Sequence, residues 1–147
     1  MDLLCTPEDE RFRQEVRAFL QAKLPSDLRQ RMRATGFATS EDQRLWQRIL
    51  NRQGWAAPAW PKAHGGTGWT VGQQMIFADE CALAPAPTPH IFNITMLGPV
   101  IIQFGSDAQR AFFLPRLPDG DILACQGISG PGAGWDPASL WTGCTRT

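Results

Sequence analysis

The sequence is short of charge, of histidine and of closely spaced cysteine, and each shortage closes off a class of function. Charged residues make up 19% of the chain, with 14 basic residues against 14 acidic ones. No net field therefore draws it to nucleic acid or to an anionic membrane. Cys5, Cys81, Cys125 and Cys144 lie far apart with no C-x-x-C pair, which argues against a zinc site and, without a secretory leader, against a disulfide framework. His64 and His90 are the only histidines, and neither stands four residues from another ligand, so no metal is expected. The opening MDLLCTPEDE lacks the basic start and apolar core of a signal peptide. No run approaches the roughly 18 apolar residues of a membrane span. A cytoplasmic protein with reduced thiols is the expectation.

What is present is a core. At 147 residues and 43% hydrophobic content the chain can bury one. Thr6, followed by Pro7, Glu8 and Asp9, reads as a helix start, with Phe12, Val16, Phe19 and Leu20 at helical spacing behind it. Pro25 stops that helix. Ser40 with Gln43 has the spacing of a capping box ahead of Leu45, Trp46, Ile49 and Leu50, a helix ending near Gly54. The stretch WAAPAWPKAHGGTGWT, residues 55 to 70, reads as a connection pinned by buried tryptophans. Thr70 with Gln73 opens a third helix that should end before the APAP run of residues 84 to 87.

After Pro89 a fourth helical segment carries Met96, Leu97, Val100, Ile101 and Phe104 and is expected to be buried on most sides. Ser106 with Gln109 opens a short helix, and LPDG at 117 to 120 reads as a turn. DILACQGIS, residues 121 to 129, is apolar and bounded by turn signals, which suits a strand, although a buried helix has the same pattern over so short a run. The fold class expected is therefore mainly α, turning to β near the end.

The Gly-rich stretch GISGPGAGWD, residues 127 to 136, has the small residues of a phosphate cradle but matches none of the formal patterns. After Gly132 and Gly134 come Trp135, Asp136 and Pro137, which breaks the dinucleotide fingerprint; no G-K-[ST] follows, and Pro131 stands where a nucleophile elbow needs glycine. Spacing alone favours a structural loop. Asp79 and Glu80 are adjacent and point about 100 degrees apart on a helix, so they cannot work as one acid and base pair, and a solvated face is expected for them. The six tryptophans lack the interleaved positive charge of a base-stacking platform and read as core and loop anchors.

With these pieces placed, the sequence resembles the N-terminal part of the acyl-CoA dehydrogenase family. The carriers are the opening helix, GWAAPAWPKAHGGTG with the helix after it, NITMLGPVIIQFGSDAQRAFFLPRLPDGDILACQGIS, and GPGAGWDPASL. The resemblance implies a helical N-terminal domain over residues 1–120 and the first strand of a middle β-domain within 121–147. It also implies FAD as cofactor, an acyl-CoA substrate dehydrogenated next to the thioester, an electron acceptor, and a homo-oligomer.

By the same resemblance Gln126, Ile128 and Ser129 match the strand that passes beside the flavin, with Ser129 donating a hydroxyl hydrogen bond. Met96, Leu97 and Val100 would line the acyl pocket, although helical packing explains them equally well. Three residues depart from the family motif [ST]-E-P-x-A-G-S-D: Gly130 replaces Glu, Trp135 takes the place of the serine near the cofactor, and Pro137 follows the retained Asp136. The family's catalytic base, a glutamate of the C-terminal helical bundle, has no counterpart before Thr147. No catalytic residue is therefore assigned, and the chain alone is expected to be inactive. The alternative is a non-catalytic helical interaction module or a truncated gene product.

Overall fold

A computed structural model describes residues 6–127 and residue 134. Among them the regular structure is entirely helical. The elements are α1 (Pro7–Lys23), α2 (Ser26–Thr35), α3 (Ser40–Gln53), a 3₁₀ turn (Lys62–His64), α4 (Val71–Leu83), a π-helical segment (Phe92–Leu97) running into α5 (Gly98–Phe104), α6 (Asp107–Phe113) and α7 (Arg116–Asp119).

Local chemistry explains where the helices begin. Four of them, α1, α3, α4 and α6, open on a reciprocal capping box in which a Thr or Ser hydroxyl accepts the N3 amide and the N3 side chain takes the cap N–H. The boxes at Thr70 and Ser106 stand where the sequence places them. That of α3 is one residue earlier than expected, Thr39 with Asp42 in place of Ser40 with Gln43, because aspartate closes the box as well as the longer Glu or Gln of the usual pattern. The helix α2 has no counterpart among the expected elements. This helix has no side-chain cap, and Leu28 is the only one of its residues fully inside. The LPDG turn is a short helix, α7, ended by Gly120 in the left-handed conformation.

Two cores result. In the larger, α1 packs on α4, and Phe12, Phe19, Trp46, Trp55 and Phe77 are buried with Trp69 against them. Their rings meet edge-on or tilted, with centroids 4.6 Å apart for Phe19 and Trp55 and 5.0 Å for Phe12 and Trp69. Two buried carboxylates, each paired with arginine, close this core. Glu80, only 3% exposed, receives Arg13 and Arg17 at 2.7 Å each, and Asp42 is gripped by the Nε and Nη2 of Arg31. The solvated face expected for Asp79 and Glu80 thus holds for exposed Asp79 alone. Burial pulls the Glu80 carboxyl up, and the hydrogen bonds from Arg17 and Arg13 outweigh it, leaving the pKa below the ordinary carboxylate value.

The smaller core joins Ala57, Trp60, Ile94, Ile101, Leu114 and Leu117. The segment above it, expected to be buried on most sides, instead exposes Met96, Val100 and Phe104, the last by 79%. Residues 121–127 form no strand. A ladder needs a neighbouring strand to pair with, the described residues supply none, and two of this segment's backbone groups bond to a side chain instead.

Candidate functional site

The site begins with a fault in a helix. In the π-helical segment the Gly98 N–H bonds the carbonyl of Asn93, five residues back. The same register would pair the Ile94 carbonyl with residue 99, which is Pro99 and has no N–H. The Trp60 indole supplies the missing donor, its Nε1 reaching the Ile94 carbonyl at 2.7 Å. Gly98 is what lets the indole approach: a Cβ there would lie 2.0 Å from Trp60 Cζ2. The tryptophan-rich connection is thereby fastened to the segment that carries the expected pocket residues.

That segment and the stretch after α7 enclose a cavity of about 240 Å³ lined by Phe92, Met96, Leu97, Val100, Ala124, Cys125 and Gln126. The three residues expected to form an acyl pocket and the one described residue expected at the flavin share it. Ile128, Ser129 and Trp135 lie outside the described residues. Val100 is 52% exposed and Met96 41%, so the cavity is an open wall. Its floor is apolar and its far rim carries an amide and a thiol, a donor set that suits a flat ring or an acyl chain with a polar edge. Its volume is below the roughly 300 Å³ at which small-molecule sites begin, as expected for one side of a site. Gln126 is the amide at its polar edge.

Asn93 holds the two sides of this cavity together and was missed in the sequence. It is fully buried. Its Nδ2 donates to the carbonyls of Leu117 at 3.0 Å and Ile122 at 2.6 Å, and its Oδ1 accepts the Ala124 N–H at 2.8 Å. Behind it, the Asn93 N–H donates to Nδ1 of His90 at 3.3 Å, and the His90 N–H donates to Oε1 of Gln47 at 3.1 Å. Burial pushes the His90 imidazole below its ordinary value, and the bond from the Asn93 N–H makes Nδ1 the accepting nitrogen.

A second cavity of about 410 Å³ lies on another face of the same helix, between Trp60, Phe77, Cys81, Ile94 and Pro99. It is larger, and burial pushes its Cys81 thiol up to about 12, so that group is inert at neutral pH. Among the described residues no cluster could hold a metal ion, and no helix is long and apolar enough to cross a membrane.

Residues 6–121 match the family "Acyl-CoA dehydrogenase, N-terminal domain". The chain belongs to the acyl-CoA dehydrogenase family, and its helical body is that family's N-terminal domain. It is 36% identical to acyl-CoA dehydrogenase FadE26 of Mycobacterium tuberculosis over 99% of this chain and 37% of that protein. To acyl-CoA dehydrogenase IpdE1 of the same organism it is 37% identical over 90% of this chain and 36% of that protein. Among solved structures it is similar to the ChsE4-ChsE5 complex of M. tuberculosis, with a TM-score of 0.75 at 35% identity over 95% of this chain and 35% of that one. It is likewise similar to the Tcur3481-Tcur3483 steroid ACAD, with a TM-score of 0.78 at 33% identity over 95% of this chain and 36% of that one. The chain therefore spans little more than a third of the length of the relatives it matches.

Proposed function

We propose that this chain supplies the N-terminal wall of an FAD-dependent acyl-CoA dehydrogenase site that forms a double bond next to an acyl thioester. The observation that carries this reading is the single cavity that gathers Met96, Leu97 and Val100 with Gln126. In it Met96, Leu97 and Val100 shield the acyl chain and the flavin ring beside it from water, and Gln126 bonds the polar edge of the flavin, with Ile128 and Ser129 assigned to the same contact by the resemblance. By the resemblance Trp135 aligns with the family's serine. Bound flavin supplies the two-electron acceptor. The residues named here bind and orient; none is a base, and the proton from the acyl α-carbon goes to a group outside this chain's described residues.

Residues 1–120 are the helical domain and 121–147 the opening of the β-domain, whose strand forms when a neighbouring strand pairs with it. The structural neighbours are two-protein complexes, one of them a steroid ACAD. They support association with a different chain and a bulky, ring-bearing acyl group as substrate. Exposed Phe104 and Phe112 are the apolar surface such a partner would cover.

Equilibrium titration of FAD by flavin fluorescence tests the reading. Saturable quenching that Val100→Asp weakens by about tenfold or more is the expected result, since a charge placed on an apolar wall costs more than about 1.4 kcal/mol. A folded chain with no saturable quenching at millimolar FAD would overturn it.

A further inference from the structure

Among the described residues, the backbone from Ile122 onward makes hydrogen bonds to one side chain only. Arg44 reaches back no further than the carbonyls of Gly120 and Asp121, and Arg48 takes the Asp121 carboxylate. Beyond that point the hydrogen bonding among the described residues is to Asn93, which gives a donor to Ile122 and an acceptor to Ala124, and the Ile122 side chain packs on the smaller core. The three residues that follow this clasp, Ala124, Cys125 and Gln126, are the ones that face Met96, Leu97 and Val100 across the cavity. A one-residue slip of an extended segment moves its groups by about 3.3 Å, enough to close or open a cavity of this size.

We infer that Asn93 is a positioning residue: it sets the course of residues 122–126 along the cavity rim and so sets the width of the site and the place of Gln126. This rests on the reading of the cavity given above. Asn93 touches no ligand itself. Its side chain spends both donor and acceptor capacity on three backbone groups, from the end of α7 to Ala124, while its backbone N–H donates to Nδ1 of His90, whose own N–H donates to Gln47. An apolar residue of similar size fills the same space and makes none of these bonds, so loss of the clasp can be separated from loss of packing.

Amide hydrogen exchange on the full chain tests this, with Asn93→Leu compared with Leu28→Ala, a substitution in the distant core that serves as a control for general destabilisation. Asn93→Leu should speed exchange of the Ala124 amide about tenfold or more while leaving the amides of α4 at their original rates, and should weaken FAD binding about tenfold. Leu28→Ala should speed exchange throughout without singling out residues 122–126. Should Asn93→Leu fail to fold, Ala124→Pro cuts the same link from the exposed side, and the Cys125 and Gln126 amides and FAD affinity are read instead. Exchange at 122–126 no faster than in the control, or a loosened segment with unchanged FAD affinity, overturns the inference. If the unaltered chain does not bind FAD, the proposed function falls, and the exchange rates alone decide whether Asn93 positions the segment.

Discussion

The two cores of this molecule solve different problems. The larger one, around Trp46, Trp55 and Phe77, is aromatic, sealed, and closed at its edge by carboxylates that are each matched by arginine. The smaller one, around Trp60, Ile94 and Leu117, is fastened by neutral hydrogen bonds from the Trp60 and Asn93 side chains and leaves Met96, Val100 and Phe104 in the open. Packing an interior closely leaves no place for a ligand. The difference shows a division of labour in which one half holds the fold and the other keeps an apolar wall exposed and shaped.

Substitutions can break that contrast, and the largest effect belongs to the sealed core. Trp46 is fully buried, so Trp46→Ala should cost about 3 to 5 kcal/mol, read as a fall in the denaturant midpoint. Gly98→Ala strikes the other half. With its new Cβ driven into the Trp60 ring, it should cost about 1 to 3 kcal/mol and change the Trp60 environment, read by near-ultraviolet circular dichroism.

Arg31→Ala leaves the buried Asp42 carboxylate without its main partner and should cost about 1 to 3 kcal/mol at neutral pH. This effect carries a pH signature. The hydrogen bonds from Arg31 overcome the burial that opposes them and, with Thr39, lower the Asp42 carboxyl from 3.8 to about 2. The folded pKa lies below the unfolded one, so the stabilisation is complete above 3.8 and is lost as pH falls through about 2. The stability gap between Arg31→Ala and the unaltered protein should therefore narrow across that window, as followed by thermal melts.

Thr39→Ala removes the α3 cap and should cost about 1 kcal/mol. Smallest of all, Val100→Ser should change stability by less than about 0.5 kcal/mol while weakening FAD binding. That pairing of a silent melt with an altered ligand response is what an exposed functional wall predicts and a structural one does not.

Much of the sealed half was legible in the sequence because its signals are local. Capping residues at Thr6 and Thr70, and apolar spacing in α1 and α3, report on the helix that contains them. The open half is set by contacts between distant residues. Asn93 in an apolar run gives no sign that its partners are 24 to 31 residues away. The π register follows from Pro99 and from an indole in another element, and no periodicity announces it. Burial of Met96 and Val100 was expected because apolar spacing shows that a face is apolar and not whether anything covers it. Glu80 beside Asp79 has the same limit: its arginines lie 63 and 67 residues earlier in the chain. The family motif brought Gln126 into view with Met96, Leu97 and Val100, and only the fold places them around one cavity.

The most direct test of the central claim is to titrate the isotopically labelled chain with FAD and map the amide chemical-shift changes residue by residue. The account predicts changes gathered on Phe92 to Val100 and Ala124 to Gln126, fading toward α1 and α2. Changes centred on the larger cavity beside Phe77 and Cys81, or none at millimolar FAD, would contradict it.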